Sequence, residues 1–233
     1  MSMPFFSLEV VLAHESASVS IGPLHLPAVV VTTWALIAVL ALLAYLLTRN
    51  LQTVPVTRRQ VVAEMLVSAL LNLVAQTFGD EKKARRYLPY LGSFFILILV
   101  SNYSGLIPGA GIVPGFAVPT ASWSVTLALA LVTFGLIFYA GFSAHGLHFF
   151  KHFTSPFFFM LPFNVLDEIV KPLSLSLRLY GSVYAEEVIL TSVRGLLPIG
   201  GPVPFYFISL FFGALQAVIF TMLSATYLAN VTQ

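Results

Sequence analysis

The chain has 233 residues, of which 58% are hydrophobic and 9% charged, with a mean hydropathy of +0.95. Soluble domains carry roughly 25% charged and about 45–50% apolar residues, so this chain cannot clothe a globule in polar surface, which excludes a soluble enzyme, a nucleic-acid binder and a disordered scaffold. It reads as an integral membrane protein, and the net charge of +2 (11 Lys and Arg, 9 Asp and Glu) matters less than where the charges sit.

In chain order, residues 1–27 open with MSMPFFSLEVVLAHES, which lacks the basic region of a signal peptide. They are expected to form a non-cytoplasmic tail or a short surface helix. Apolar segments at 28–48, 88–107 and 123–143 each match the ~20 residues that cross the hydrocarbon core. Two longer ones, 157–194 and 199–230, exceed a perpendicular span and must tilt, bend or lie partly along the membrane. Between the first two spans, the connection 49–87 contains the stretch 58–79, whose polar residues Gln60, Glu64, Ser68, Asn72 and Gln76 recur every fourth position. That spacing makes one polar stripe on a helix, read as an amphipathic helix at the interface or packed sideways on its neighbours. A true span with a polar seam is the alternative. The fold expected is therefore all-α, a single polytopic membrane domain of about five membrane-embedded helices plus the amphipathic one.

Charge sets the orientation. Arg49, Arg58, Arg59, Lys82, Lys83, Arg85 and Arg86 all fall in the first connection, which the positive-inside rule makes cytoplasmic. The N-terminus is then outside and the C-terminus inside. The uncharged stretch 105–122, rich in glycine and proline, becomes an outer loop. Its glycines lack the preceding strand and following lysine of a phosphate loop. Lys151 again falls inside, and Arg194 outside is the one dissenter. His145, His148 and His152 are spaced as H-x2-H-x3-H, but no carboxylate or cysteine in the segment completes a metal shell, and the chain has no cysteine at all. They are read as a polar rim at the cytoplasmic boundary, with no metal site and no cofactor.

The fourth apolar segment holds Asp167, Glu168, Lys171, Arg178, Glu186 and Glu187. A charge at mid-bilayer costs at least ~2.5–3.5 kcal/mol. Asp167, Glu168 and Lys171 lie near the segment's start, where Lys171 can pair with Asp167 at i,i+4. Arg178 has no acid within four residues on either side, and a guanidinium cannot be neutralised by losing its proton. It therefore implies a counter-charge supplied from elsewhere. On a regular helix Ser182 shares its face, about 40° away, while Glu186 lies about 80° and Glu187 about 180° round, the last roughly 13 Å along the axis. An arginine facing a partner and a carboxylate lining a separate aqueous pocket fit that geometry. In the last segment Gln216 is the costliest residue to bury, and Ser209, two turns earlier on the same face, could line one side of a polar path with it.

PLSLSLRLYGSVYAEEVI resembles the signature of subunit a of rotary F-type ATP synthases, P-x-S-L-x-L-R-L-F-G-N-x-x-A-x-E. LQAVIFTMLSATYL resembles that family's C-terminal helix, and SNYSGLIPG its N-L-x-x-L-x-P turn. The resemblance implies a stator subunit beside the membrane ring of c subunits, tied to peripheral-stalk b subunits in the lipid bilayer, with no nucleic acid as partner. It implies that the two long helices form a steeply tilted hairpin along the ring. By position Arg178 matches the essential arginine, Glu187 the carboxylate of the outer half-channel, Gln216 the glutamine opposite the arginine and Asn102 the asparagine of the turn. The chain departs from the pattern at Ser182, where asparagine is usual, at Glu186, where a small residue is usual, and at Ser209, where some members carry a histidine or acid. Ser122 and Ser124 also replace Asp and Asn. The outer channel would then rely on the Glu186–Glu187 pair.

The implied function is a proton channel of two half-channels that couples ion flow to ring rotation and ATP synthesis, not an enzyme by itself and not a nucleotide binder. Each elementary charge crossing 100 mV releases about 2.3 kcal/mol. A sodium-translocating version of the same subunit is one alternative. A secondary transporter is another, but the sequence carries no inverted repeats with matching broken helices. A bacterial inner membrane is expected, because no transit peptide is visible, with a plastid- or mitochondrion-encoded chain, which would also lack one, as the alternative.

Overall fold

The computed structural model describes residues 18–21, 24–49, 58–106, 118–146, 161–196 and 200–232. Among them run six helices: α1 (Ala28–Thr48), α2 (Arg58–Phe78), α3 (Glu81–Ser104), α4 (Trp123–His145), α5 (Leu161–Leu196) and α6 (Pro202–Thr232). A 3-10 turn at Pro119–Ala121 leads into α4. The chain is an all-α polytopic membrane protein with one addition that the sequence did not announce. Strands β1 (Ser18–Ile21) and β2 (Leu24–Pro27) pair antiparallel, Val19 opposite Leu26, where a plain tail or surface helix was expected.

The helix ends follow local chemistry. Gly79, at φ +66°, takes the left-handed position that closes α2, its N–H donating to the Ala75 carbonyl at 3.0 Å. Asp80 then caps α3, accepting from the Lys82 backbone N–H at 2.9 Å. Consequently α3 begins at Glu81, and Lys82, Lys83, Arg85 and Arg86 form its first turns instead of a loop before residue 88. Pro202 opens α6 at a position where its missing N–H costs nothing.

Among the described residues, five helices are long and apolar enough to cross a membrane: Ala28–Thr48, Gln60–Phe78, Glu81–Ser104, Trp123–Ala144 and Pro202–Thr232. The set differs from expectation in two places. The stretch in α2 qualifies by length and apolarity although the sequence reading laid it at the interface. Conversely, α5 is not among the five, because its charges leave no long uncharged window. On α2 the stripe divides, with Gln60 buried while Glu64, Ser68, Asn72 and Gln76 are exposed, and Leu70, Val74 and Phe78 face inward.

The core is built around α6, which touches α2, α3, α4 and α5. Its buried positions Ser209, Gly213, Ala217, Thr221, Ala225 and Ala229 recur at i,i+4. Small side chains on one stripe let neighbouring backbones approach closely, the usual basis of helix association where lipid is the alternative solvent. The buried hydroxyls there bond their own helix, Thr221 to the Ala217 carbonyl and Ser224 to that of Phe220, each at 2.8 Å. Against α6, helix α3 lays Ala84, Tyr87, Leu91, Phe94 and Ile98, and α5 lays Leu175, Leu179 and Val183. By contrast, α1 is only 6% buried along its apolar window and shows Trp34, Leu42 and Leu46 outward. Apolar surface on that scale belongs against lipid or another membrane protein.

Candidate functional site

At 36 residues α5 is about 54 Å long, and α6 at 31 residues about 47 Å, both well beyond a ~30 Å hydrocarbon core. They form a hairpin whose closed end is held by Arg194. Its Nη2 donates to the Tyr206 hydroxyl at 2.6 Å, and its guanidinium lies 5.5 Å from that ring's centre. The charge that dissented in the sequence thus helps join the two long helices.

Arg178 is exposed, among the equally exposed Leu173, Leu177, Gly181, Ala185 and Ile189. Its α5 turn is anchored from behind by Leu175, Ser176 and Leu179, all buried. No ion pair or side-chain hydrogen bond engages its guanidinium among the described residues. Ser182 does share its face, but the hydroxyl bonds the helix itself, donating to the Arg178 carbonyl at 2.9 Å and the Leu179 carbonyl at 3.0 Å.

Glu186 and Glu187 are both half-buried. Glu186 points across the hairpin to the hydroxyl of Ser209, which is 4% exposed on α6. The backbone carbonyl of Glu187 accepts from Thr191 at 2.8 Å. Gln216 is half-buried, and its Oε1 is sealed from solvent with no hydrogen-bond partner among the described residues. Such a carbonyl costs about 1–3 kcal/mol until a donor reaches it. Of the two α6 residues expected to line a path, Ser209 faces Glu186 on the neighbouring helix, and Gln216 leaves its Oε1 unpartnered among the described residues.

Asn102, at the C-terminal end of α3, is 8% exposed and hydrogen-bonded at both polar atoms of its side chain. Its Nδ2 donates to the Gly213 carbonyl at 3.1 Å, and its Oδ1 accepts from the Thr120 hydroxyl at 2.7 Å. Ser122 and Ser124 bond each other at 2.8 Å, and the Ser176 hydroxyl reaches Thr126 at 3.4 Å. Sequence reasoning passed over Thr120, Thr126 and Ser176, since isolated hydroxyls commonly serve their own helix backbone. The only signal was the crowding of Thr120 and Thr126 around Ser122, and for Ser176 there was none. Trp123 meets Tyr180 edge-on at 5.6 Å, and Tyr180 stacks on Tyr184 at 5.5 Å, fastening the start of α4 to α5 just beyond Arg178.

Lys171 pairs with Glu168 instead of Asp167. Asp167 is exposed, whereas Glu168 turns inward, where Lys171 also lies 5.8 Å from the Tyr227 ring centre. His145 ends α4, while His148, Lys151 and His152 lie outside the described residues, as do 107–117 of the glycine- and proline-rich stretch.

A family model described as ATP synthase A chain matches residues 30–229. The chain belongs to that family. The matched range runs from the first turn of α1 to the last turn of α6 and takes in all the residues placed above. As a subunit a family member, the chain is a non-catalytic integral membrane component of the Fo ion channel in the ATP synthase complex.

Proposed function

We propose that the chain is the stator subunit through which protons drive the c-ring, by way of two aqueous half-channels separated at Arg178. The observation that carries the reading is the exposure of Arg178, a permanent charge with no partner among the described residues, in the middle of an apolar face of α5. A counter-charge from a separate chain would satisfy it, and a rotor carboxylate passing along that face would meet it in its deprotonated form. The same fixed charge repels protons that would otherwise leak directly from one half-channel to the other. Glu187 and Glu186 line the outer half-channel, the latter with Ser209. Ser182 and Gln216 flank the crossing point, where Gln216 offers its unpaired carbonyl to a donor. Asn102 stands beside that path on α3.

In this reading the α5–α6 hairpin lies along the c-ring, the b subunits of the peripheral stalk hold the chain against rotation, and the chain binds no nucleotide itself. The stretch 58–79 lies at the cytoplasmic interface with its exposed polar stripe toward water. The membrane is a bacterial inner membrane, with the N-terminus outside.

The deciding experiment is Arg178→Ala in the assembled ATP synthase. ATP synthesis and ATP-driven proton pumping are both expected to vanish while the complex still assembles. Retained pumping would refute the assignment. Replacing sodium by choline should leave pumping unchanged, and dependence on sodium would identify that ion as the cargo.

A further inference from the structure

The amide of Asn102 is locked on both sides. Nδ2 reaches a carbonyl of α6, Oδ1 receives a hydroxyl from the 3-10 turn that starts α4, and Thr120 is fully buried. The lock also fixes the amide's sense. Turned over, Oδ1 would face the Gly213 carbonyl, acceptor against acceptor, so a single orientation satisfies every group. At Gly213 the backbones come close enough that a Cβ would lie 3.2 Å from the Cβ of Asn102 and 3.5 Å from the Tyr103 ring. Gly213 follows Ser209 by four residues and precedes Gln216 by three, about 6 Å and 4.5 Å along the helix axis. The three elements are therefore knotted within one turn of the polar side chains of α6.

We propose that Asn102 is a positioning residue, which sets the register of α6 and thereby holds Ser209 against Glu186 and Gln216 at the crossing point, and that it does not carry protons. An amide neither gains nor loses a proton near neutral pH, and both of its polar atoms are already engaged. The proposal rests on the channel function above and refines the place of Asn102 in it.

The test uses the intact ATP synthase and the absence of native cysteine. In an Asn102→Cys, Gly213→Cys double variant, mild oxidation is expected to consume both thiols, since the Cβ positions lie 3.2 Å apart, a few tenths of an ångström short of the about 3.5–4.5 Å that disulfides take. Thiols that stay open to maleimide would overturn the contact, whatever the protein transports. The second arm measures proton flux per assembled complex. Gly213→Ala, which leaves the Asn102 amide chemically intact but whose added Cβ must move its neighbours by a few tenths of an ångström, is expected to lower flux roughly 3- to 10-fold, a fraction of the ~100-fold that a 1 Å misplacement can cost. Asn102→Leu should do the same, and the double variant should be no worse than the lower single. Thr120→Ser should retain flux that Thr120→Val loses. With Asn102→Asp the flux should fall without displacement of its pH profile. Additive losses, full flux in Gly213→Ala or a displaced profile in Asn102→Asp would overturn the positioning role. Flux surviving Arg178→Ala would instead remove the channel reading and leave the disulfide result standing.

Discussion

Two adjacent glutamates sit where most helices would carry at most one. Glu186 is about 80° and Glu187 about 180° round α5 from Arg178, so they flank the buried face that Leu179, Val183 and Leu190 present to the interior. Glu186 meets a polar side chain on α6, the hydroxyl of Ser209. If both carboxylates relay protons, Glu186→Gln should lower proton flux by about tenfold, a barrier change of ~1.4 kcal/mol, and Glu187→Gln by at least as much. Flux that is unchanged in Glu186→Gln across the pH range would confine the relay to Glu187. The unusual charge at Glu186 was visible in the sequence, but its partner was not. Ser209 is 23 residues further along the chain, and only the antiparallel return of α6 puts the two together.

At the scale of elements, the hairpin's geometry depends on contacts that no periodicity announces. Arg194 was legible only as a charge at the wrong end of a segment. Its bond to Tyr206, charge-assisted and half-buried, is worth about 1–2 kcal/mol. Tyr206→Phe keeps the ring under the guanidinium and removes the hydroxyl, so it should lower the thermal stability of the extracted complex by that amount. An unchanged melting temperature would mean that the closed end of the hairpin is held by packing alone. At the other end of α6, Lys83 Nζ donates to the Thr232 carbonyl at 2.8 Å, so one of the basic residues of the first connection also caps the last helix. Helix lengths followed from hydropathy to within a few residues, except at α3. There the first seven positions are charged or polar enough to read as connection, yet Asp80 and Glu81 start the helix by capping and by their charge at its N-terminus.

For the whole molecule, the asymmetric placement of basic residues predicts a topology that can be measured directly. Because the chain has no cysteine, single cysteines report their own side of the membrane. Asp80→Cys, at the exposed turn before α3, should react with an impermeant maleimide only from the cytoplasmic face, and Gly200→Cys, in the exposed turn before α6, only from the opposite face. Labelling of both from one side would overturn the topology. Hydropathy and charge determined by themselves that this is a polytopic membrane protein, and the motif around Arg178 determined its family, because a permanent charge in an apolar run is costly enough to stand out within ten residues of chain. Tertiary structure alone decided which polar groups meet: Glu186 with Ser209, Asn102 with Gly213 and Thr120, Lys171 with Glu168 beside Tyr227. These pairings depend on how closely α6 approaches its neighbours, which is set by the packing of its small side chains against four helices at once, and no single segment contains that information.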